Sequence, residues 1–452
     1  MALSKIWAAF ILISIVVAGV RYAVVPADKE IFGQMVTGKT GDSVRVAVPA
    51  AVASAISGAP ARATTTVVVQ KADGLIETCK FAVTLALGLI GIMALFMGLV
   101  SIAEEAGGVR LLARWTGPFF SKLFPEVPKG HPAMGHMVMN FSANLLGLDN
   151  AATPFALKAM ESLQEINPDK TKASNSQIMF LCLHASGLQI IPVTMIALRA
   201  SVHPPAPDPT DIFIPIVIAT FITTVASMSI VAIWQRINIF KPVVLAWVGS
   251  LSVLIASLVL YLRSLDADRV QSFSRAFSGG LILLIFLVII AGAVYKKIDI
   301  FSAFVQGARG GFDTAVRIIP YLVGMLAAIS LLRTSGTFDA VINGIRWVAS
   351  LFGGDTRWVD GMPTALIKPF SSAGARGMLV STMQTFGVNS FAARLSATMQ
   401  GSSETVFYVV AVYFGSVSIR NTRYSIPAML LAELVSVVSS IGLAYLFFGN
   451  VR

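Results

Sequence analysis

Four polar clusters sit inside stretches of this chain that are otherwise apolar, and each carries groups able to hold a solute or an ion. Ser402-Ser403-Glu404-Thr405 leads straight into the apolar run Val406-Phe407-Tyr408-Val409-Val410-Ala411. A carboxylate there can bind a cation, take up a proton or accept hydrogen bonds from a hydroxylated solute. Its competing role is that of a first-turn Glu stabilising a helix N-terminus. Lys368-Pro369-Phe370-Ser371-Ser372-Ala373-Gly374-Ala375-Arg376-Gly377 sets two cations around a Ser/Gly-rich break. Intramembrane charge is expensive and marks function, unless both side chains snorkel to the interface. Met139-Asn140-Phe141-Ser142-Ala143-Asn144, continuing to Asp149-Asn150-Ala151-Ala152-Thr153-Pro154, reads as a re-entrant hairpin whose tip faces a substrate cavity. The alternative is small-residue packing with helix caps at Asn144 and Asn150. The fourth cluster is His184-Ala185-Ser186-Gly187-Leu188-Gln189. It lacks a carboxylate, so if an ion is coupled the two ends of the chain are not equivalent.

The elements that must position these clusters are membrane helices. Of 452 residues, 56% are hydrophobic and 13% charged, against about 25% charged in soluble domains. A water-soluble protein of this composition could not cover its own surface. Apolar runs at 6–25, 81–102, 178–198, 212–234, 242–262, 278–295, 315–332 and 426–448 have lengths near the roughly 20 residues that cross a bilayer as helix. They are apolar all round, without the alternation of a membrane β-barrel, so the expected class is all-α, a polytopic helical bundle. Lys5 precedes the first run and no small-x-small cleavage site follows it before Tyr22, which favours a retained helix over a signal peptide.

Net charge is +11. The excess reads as loop Lys/Arg that holds orientation, since no basic stretch is interleaved with aromatics as nucleic-acid binding requires. Basic loops follow successive spans, at Arg236/Lys241, Arg263/Arg269/Arg275 and Lys296/Lys297, so they leave orientation open. The two cysteines, Cys79 and Cys182, make no disulfide framework.

Gly33-Gln34-Met35-Val36-Thr37-Gly38-Lys39-Thr40 matches the phosphate-loop pattern letter for letter. A working phosphate loop follows a buried strand and opens a helix, whereas polar residues precede this one and Gly41-Asp42 follow it. It is therefore expected to be an exposed loop outside the bilayer. His131 and His136 are poorly spaced for a shared helical face, and His203 lies in a proline-rich loop. No metal site, Ser/His/Asp set or paired-carboxylate set stands out, so no enzyme and no resident cofactor are expected.

The chain repeats itself. Thr78, an apolar span, Glu105-Ala106-Gly107-Gly108, an amphipathic stretch and 141–147 are matched in order by Thr314, an apolar span, Thr334-Ser335-Gly336, an amphipathic stretch and 370–377. Each half then reaches a polar cluster, at Ser186 or at Ser402, and an apolar run ending in Arg199 or Arg420. A duplicated membrane unit with matching interruptions is the pattern of secondary transporters. Broken backbone is tolerated at membrane depth only where it is buried or lines a wet cavity, and half-helix ends there offer free N–H and C=O groups.

The first half resembles spore maturation protein A through 140–148, Asn150-Ala151-Ala152-Thr153-Pro154, Lys158-Ala159-Met160 and the run from Gln189 through Pro192 to Arg199. The second half resembles spore maturation protein B through Ile318-Ile319-Pro320-Tyr321-Leu322-Val323, Pro363-Thr364-Ala365-Leu366, 371–377, and the stretch from Gln400 to Gly415. The sequence looks like a fusion of the two. That family carries the nucleoside-recognition, or Gate, domain, also found in concentrative nucleoside transporters and in ferrous iron transporters of the B type. The resemblance implies one Gate repeat per half, at about 80–200 and 315–420. The apolar and polar runs give an N-terminal helix over 1–25 and an extramembrane loop over 26–74, followed by a first unit over 75–235 and a second over 236–452 that carry the two resemblances. The positions that match solute-holding side chains are Asn140, Ser142, Asn144, Ser186, Gln189, Ser371, Ser372, Ser402, Ser403, Glu404 and Thr405.

The leading expectation is a multi-pass protein of the bacterial cytoplasmic (inner) membrane. It would act as a secondary transporter or permease for a nucleoside or another small polar solute. Its duplicated core is either inverted or parallel, and a coupling cation is Na+ or H+. A homo-oligomer is expected, with the lipid bilayer and the solute as partners and no nucleic acid. The competing expectation is a non-transporting membrane factor that supports envelope or spore maturation by binding a partner. Glu404 is expected at a helix break, with partners from 140–144 or 371–376.

Overall fold

The computed structural model describes residues 2–25, 28–38, 43–48, 65–70, 74–145, 149–202, 205–265, 267–351 and 353–450. The described chain forms two compact units, residues 1–84 with 322–351, and residues 85–321 with 352–452.

The smaller unit begins with α1 (Ala2–Val24) and the short α2 (Ile31–Thr37). Strands β1 (Ser43–Val48) and β2 (Thr65–Gln70) form an antiparallel pair, with Ser43 opposite Gln70 and Val48 opposite Thr65. The unit also takes in the start of α3 (Leu75–Glu105), the end of α12 (Ile300–Thr334) and α13 (Thr337–Leu351). Hydrogen bonds from Trp7 Nε1 to Gly324 O (2.9 Å) and from Arg21 Nη1 to Ser335 O (2.9 Å) tie α1 to it. The phosphate-loop look-alike is not the exposed loop expected. Gly33 to Thr37 lie within α2, where Met35 is buried, and Lys39 and Thr40 fall outside the described residues. A phosphate loop has its loop first and its helix after, so a helix that already covers Gly33 to Thr37 does not fit it.

The larger unit holds the rest of α3, then α4 (Gly108–Leu123), α5 (Pro132–Leu145), α6 (Asp149–Glu165), α7 (Asn175–Ala185), α8 (Val193–Ser201), α9 (Phe213–Gln235), α10 (Pro242–Arg263) and α11 (Ala267–Lys296). The first part of α12 follows, then α14 (Met362–Ile367), α15 (Ser372–Phe386), α16 (Phe391–Gly401), α17 (Val406–Val409), a π turn at Val410–Phe414 and α18 (Ser425–Phe448). Six helices among the described residues are long and apolar enough to cross a membrane. At 23 residues, α9 is about 34 Å long, enough for a hydrocarbon core of about 30 Å. The chain is an all-α, multi-pass membrane bundle apart from the single strand pair. The run at 315–332 belongs to the 35-residue α12. The run at 178–198 is not one span: it is α7, a break and α8.

Inside this unit α3 and α12 cross closely. A Cβ built on Gly307 would lie 2.3 Å from Met97 O, and one on Gly311 would lie 2.6 Å from Met93 O. Only a residue without a side chain lets the two backbones meet there, as is usual where lipid supplies no hydrophobic drive. Phe120, Phe141, Phe180, Met228, Tyr413 and Phe414 belong to one buried core that joins α4–α6 to α7, α9 and the segment after α16.

The two interrupted helices run in opposite directions. At one end the start of α7 meets the end of the α17 segment: Ala173 N donates to Asn421 O (2.9 Å) and Arg420 N to Thr171 O (2.9 Å). At the other end α8 finishes where α16 begins, with Arg199 Nη1 donating to Val388 O (2.8 Å). The long helices obey the same sense. Gln235 at the end of α9 donates to Asn175 O (2.8 Å), and Trp234 packs at a tilt against Tyr424 at the start of α18. The duplicated core is therefore inverted rather than parallel.

Candidate functional site

The breaks are built by matching residues. Ser174 and Ser390 cap α7 and α16, accepting from Gln177 N (3.2 Å) and Ala393 N (3.1 Å). Both helices have 11 residues. They end in Ser186 and Ser402, each of which turns its hydroxyl back onto a carbonyl of its own last turn, Leu183 O at 2.6 Å and Met399 O at 2.8 Å. Each hydroxyl also meets a hydroxyl on the long helix that follows: Ser186 with Thr224 (2.9 Å) on α9, Ser402 with Ser436 (2.6 Å) on α18. Helix cannot continue after Ser186, because Gly187 adopts φ +61° and Pro192 brings no N–H. In the second repeat Thr405 takes extended backbone before α17 begins.

A hairpin tip reaches each break. Leu145 O at the α5–α6 tip accepts from Ile190 N (2.8 Å), and Pro369 O at the α14–α15 tip accepts from Phe407 N (3.0 Å). The corresponding stretches 140–145 and 370–377 thus occupy equivalent places. The breaks also bond to one another. Glu404 N donates to Ala185 O (2.8 Å), and Gln189 Nε2 donates to Gly401 O (2.9 Å).

Between the breaks lies a small cavity of about 10 Å³, room for about one water molecule, lined by Cys182, Ser186, Thr223, Ser227, Ser403, Glu404 and Glu433 among others. Glu404 is at the break as expected, at the cavity wall. Lys368, Arg376 and Glu433 are close enough to act on its charge. Glu433, from the middle of α18, accepts from Ser403 Oγ and lies 3.5 Å from the Lys368 ammonium. Lys368 does not snorkel to an interface: its side chain is 1% exposed and donates to Met399 O and, at 3.4 Å, to Ser402 Oγ.

The structure divides the sequence-derived candidates into three groups. Ser186, Ser403 and Glu404 line the cavity, while Ser402, Thr405 and Gln189 sit in the break beside it. Asn140 and Asn144 turn instead to His184, whose Nδ1 lies 3.1 Å from Asn140 Oδ1 and 3.1 Å from Asn144 Nδ2. Asn140 also donates to Ala152 O (2.8 Å) and so closes its own hairpin. Of the two stretches expected to partner Glu404, 140–144 turns elsewhere, while 371–376 reaches its charge through Arg376, joined by Lys368 just before the second tip. Ser142 is buried near this group without touching the cavity wall. Ser371 caps α15 by accepting from Gly374 N (2.9 Å), and Ser372 opens that helix. Residues missed in the sequence are Glu433, Thr223, Ser227 and Ser436. Glu433 was findable, since a carboxylate inside the 24-residue apolar α18 is a functional signal by default. The hydroxyls carry no such signal, because Ser and Thr are ordinary in membrane helices.

A second charged cluster marks the end where α8 meets α16. Asp211 lies 2.9 Å from Arg199 Nη2 and 2.8 Å from Arg394 Nε, with the Arg199 side chain fully buried.

Comparison with known proteins matches residues 86–201 and 315–420 to the Gate family, described as nucleoside recognition. Spore maturation protein A of Bacillus subtilis (strain 168) is 39% identical over 158 residues, which cover 35% of this chain and 80% of the relative. Spore maturation protein B of the same organism is 40% identical over 167 residues, covering 36% of this chain and 92% of the relative.

Proposed function

We propose, from the premise that this chain belongs to the nucleoside-recognition Gate family and carries that domain twice, that it is a transporter or permease for a small polar solute. The observation that carries this reading is the cavity between two oppositely directed helix breaks, walled by hydroxyls and by Glu404 and Glu433. Inverted repeats around a central site are the architecture by which one face can close while the other opens. Here each end of the core has its own clasp, Thr171–Asn175 on 420–424 at one end and Arg199–Asp211–Arg394 at the other. Carboxylates and hydroxyls suit a solute rich in hydrogen-bond donors, a nucleoside or a similar polar metabolite. Glu404 is the group that would take a coupling H+ or Na+. The family relationship to bacterial proteins supports placement in the cytoplasmic (inner) membrane.

One observation favours the second reading, a non-transporting factor that binds a partner. The breaks bond directly to each other, which leaves the centre nearly closed, and both relatives are named for spore maturation. A thermal-shift screen of the purified full-length protein against nucleosides, nucleobases, amino acids and divalent metals separates the two. Transport predicts a saturable shift for one solute class, lost in Glu404→Gln and weakened in Glu404→Asp, with both variants folded. No shift for any class favours the partner-binding reading, and an equal shift in wild type and Glu404→Gln removes Glu404 from the site.

A further inference from the structure

The second break contains an oxygen cage already filled by the chain's own cation. Lys368 leaves the α14–α15 tip and ends among Met399 O, Ser402 Oγ and the Glu433 carboxylate. Ser403 Oγ closes the other side by donating to Glu433 Oε2. Every member comes from a different turn or element: the hairpin tip, the last turn of α16, the break, and α18. Lys368, Ser402 and Ser436 are essentially unexposed and Glu433 is 6% exposed. Glu433 Oε1 accepts no hydrogen bond and lies 3.5 Å from the ammonium. One carboxylate, one carbonyl at a helix C-terminus and one hydroxyl meet the ammonium, oxygen ligands of the kind a hard monovalent cation takes when it sheds water. The helix C-terminus adds its own negative potential. Among the described residues the first repeat has no such cage, for Phe221, three before Thr224, stands where Glu433 stands three before Ser436, and its break is held by Ser186, Thr224 and Gln189.

We propose that this cage is a cation site of the Na+ type in which the Lys368 ammonium is a tethered, resident occupant. The ammonium pins the second hairpin tip to the second broken helix and to α18. It supplies from within the chain the charge that a bound Na+ would otherwise supply. The cage shares Glu433 with the cavity wall and lies within charge range of Glu404, which is not one of its ligands; it stands whether or not the protein moves a solute.

The test compares purified full-length wild type with Lys368→Ala, reading melting temperature in NaCl and in choline chloride at equal ionic strength. Lys368→Ala should melt lower than wild type in choline by roughly 5 °C or more, because Glu433 is left as a buried unpaired charge. Na+ should restore much of that loss in a saturable way, beyond any Na+ effect seen in wild type. A Na+ response identical in the variant and in wild type overturns the proposal. A Na+ effect present equally in both belongs to another site, Glu404 included, and so bears on the transport reading instead. If Lys368→Ala does not fold, the pair Lys368→Met and Lys368→Met/Glu433→Gln decides. Recovery of folded yield in the double variant, with no Na+ response, supports a cation held for Glu433. A double variant as poor as the single one overturns it.

Discussion

Asp211 offers the cleanest number. Its carboxylate joins two guanidiniums, Arg199 at 2.9 Å and Arg394 at 2.8 Å, and the Arg199 side chain has no solvent exposure. Asp211→Ala leaves a fully buried cation without that partner. Breaking a buried pair from one side costs about 3–5 kcal/mol. Arg199 keeps Val388 O at 2.8 Å, and Asp208 still acts on its charge, so the lower end, about 3 kcal/mol, is expected. Asp211→Asn keeps the shape and some hydrogen bonding while losing the charge, and about 2 kcal/mol is expected from the charge-assisted bonds. Arg394→Ala should cost less, about 1 kcal/mol, because the Asp211 left behind keeps its pair with Arg199 and is itself not fully buried. Denaturant unfolding of the purified protein in mild detergent, followed by tryptophan fluorescence, reads all three. The order Asp211→Ala, Asp211→Asn, Arg394→Ala is the signature. An Asp211→Ala loss under about 1 kcal/mol would show that Arg199 reaches water or another counter-charge, and would refute the buried-clasp reasoning.

Three further outcomes follow from the same geometry. Double-mutant cycles on Ser186→Ala with Thr224→Val and on Ser402→Ala with Ser436→Ala should each give a coupling of about 1 kcal/mol; zero coupling in either cycle would undo the equivalence of the two breaks. Gly307→Leu should abolish folded yield in detergent because its Cβ falls 2.3 Å from Met97 O, while Gly310→Ala, with open space around its Cβ, should express as wild type; size-exclusion profiles give the answer. Lys39→Ala should leave thermal stability unchanged, and a labelled-ATP binding assay should find nothing for the substitution to remove; tight ATP binding lost in this variant would restore the phosphate-loop reading.

Local order was legible in the residues. Long all-apolar runs can satisfy their backbone only as helix, and Ser186-Gly187 with Pro192 announces an interruption because Gly and Pro each withdraw something the helix needs. The repeat was visible as well, since equal local grammar at Ser174 and Ser390, and at Ser186 and Ser402, gives equal caps and equal breaks. What the residues could not say is which break meets which, and in what direction. That depends on how many times the chain crosses between the two halves and on where the intervening helices turn. It took Ala173 on Asn421, Arg199 on Val388 and Glu404 N on Ala185 O to show an inverted pair. The assignment of partners was equally tertiary. Asn140 and Asn144 looked like cavity residues but turn to His184, and Lys368, left between an intramembrane role and snorkelling, is buried against Glu433, which is remote in sequence. Helical spacing sets which residues share a face, but a side chain's hydrogen-bond partner is chosen by the neighbouring element packed against that face, and only the folded chain brings that element there.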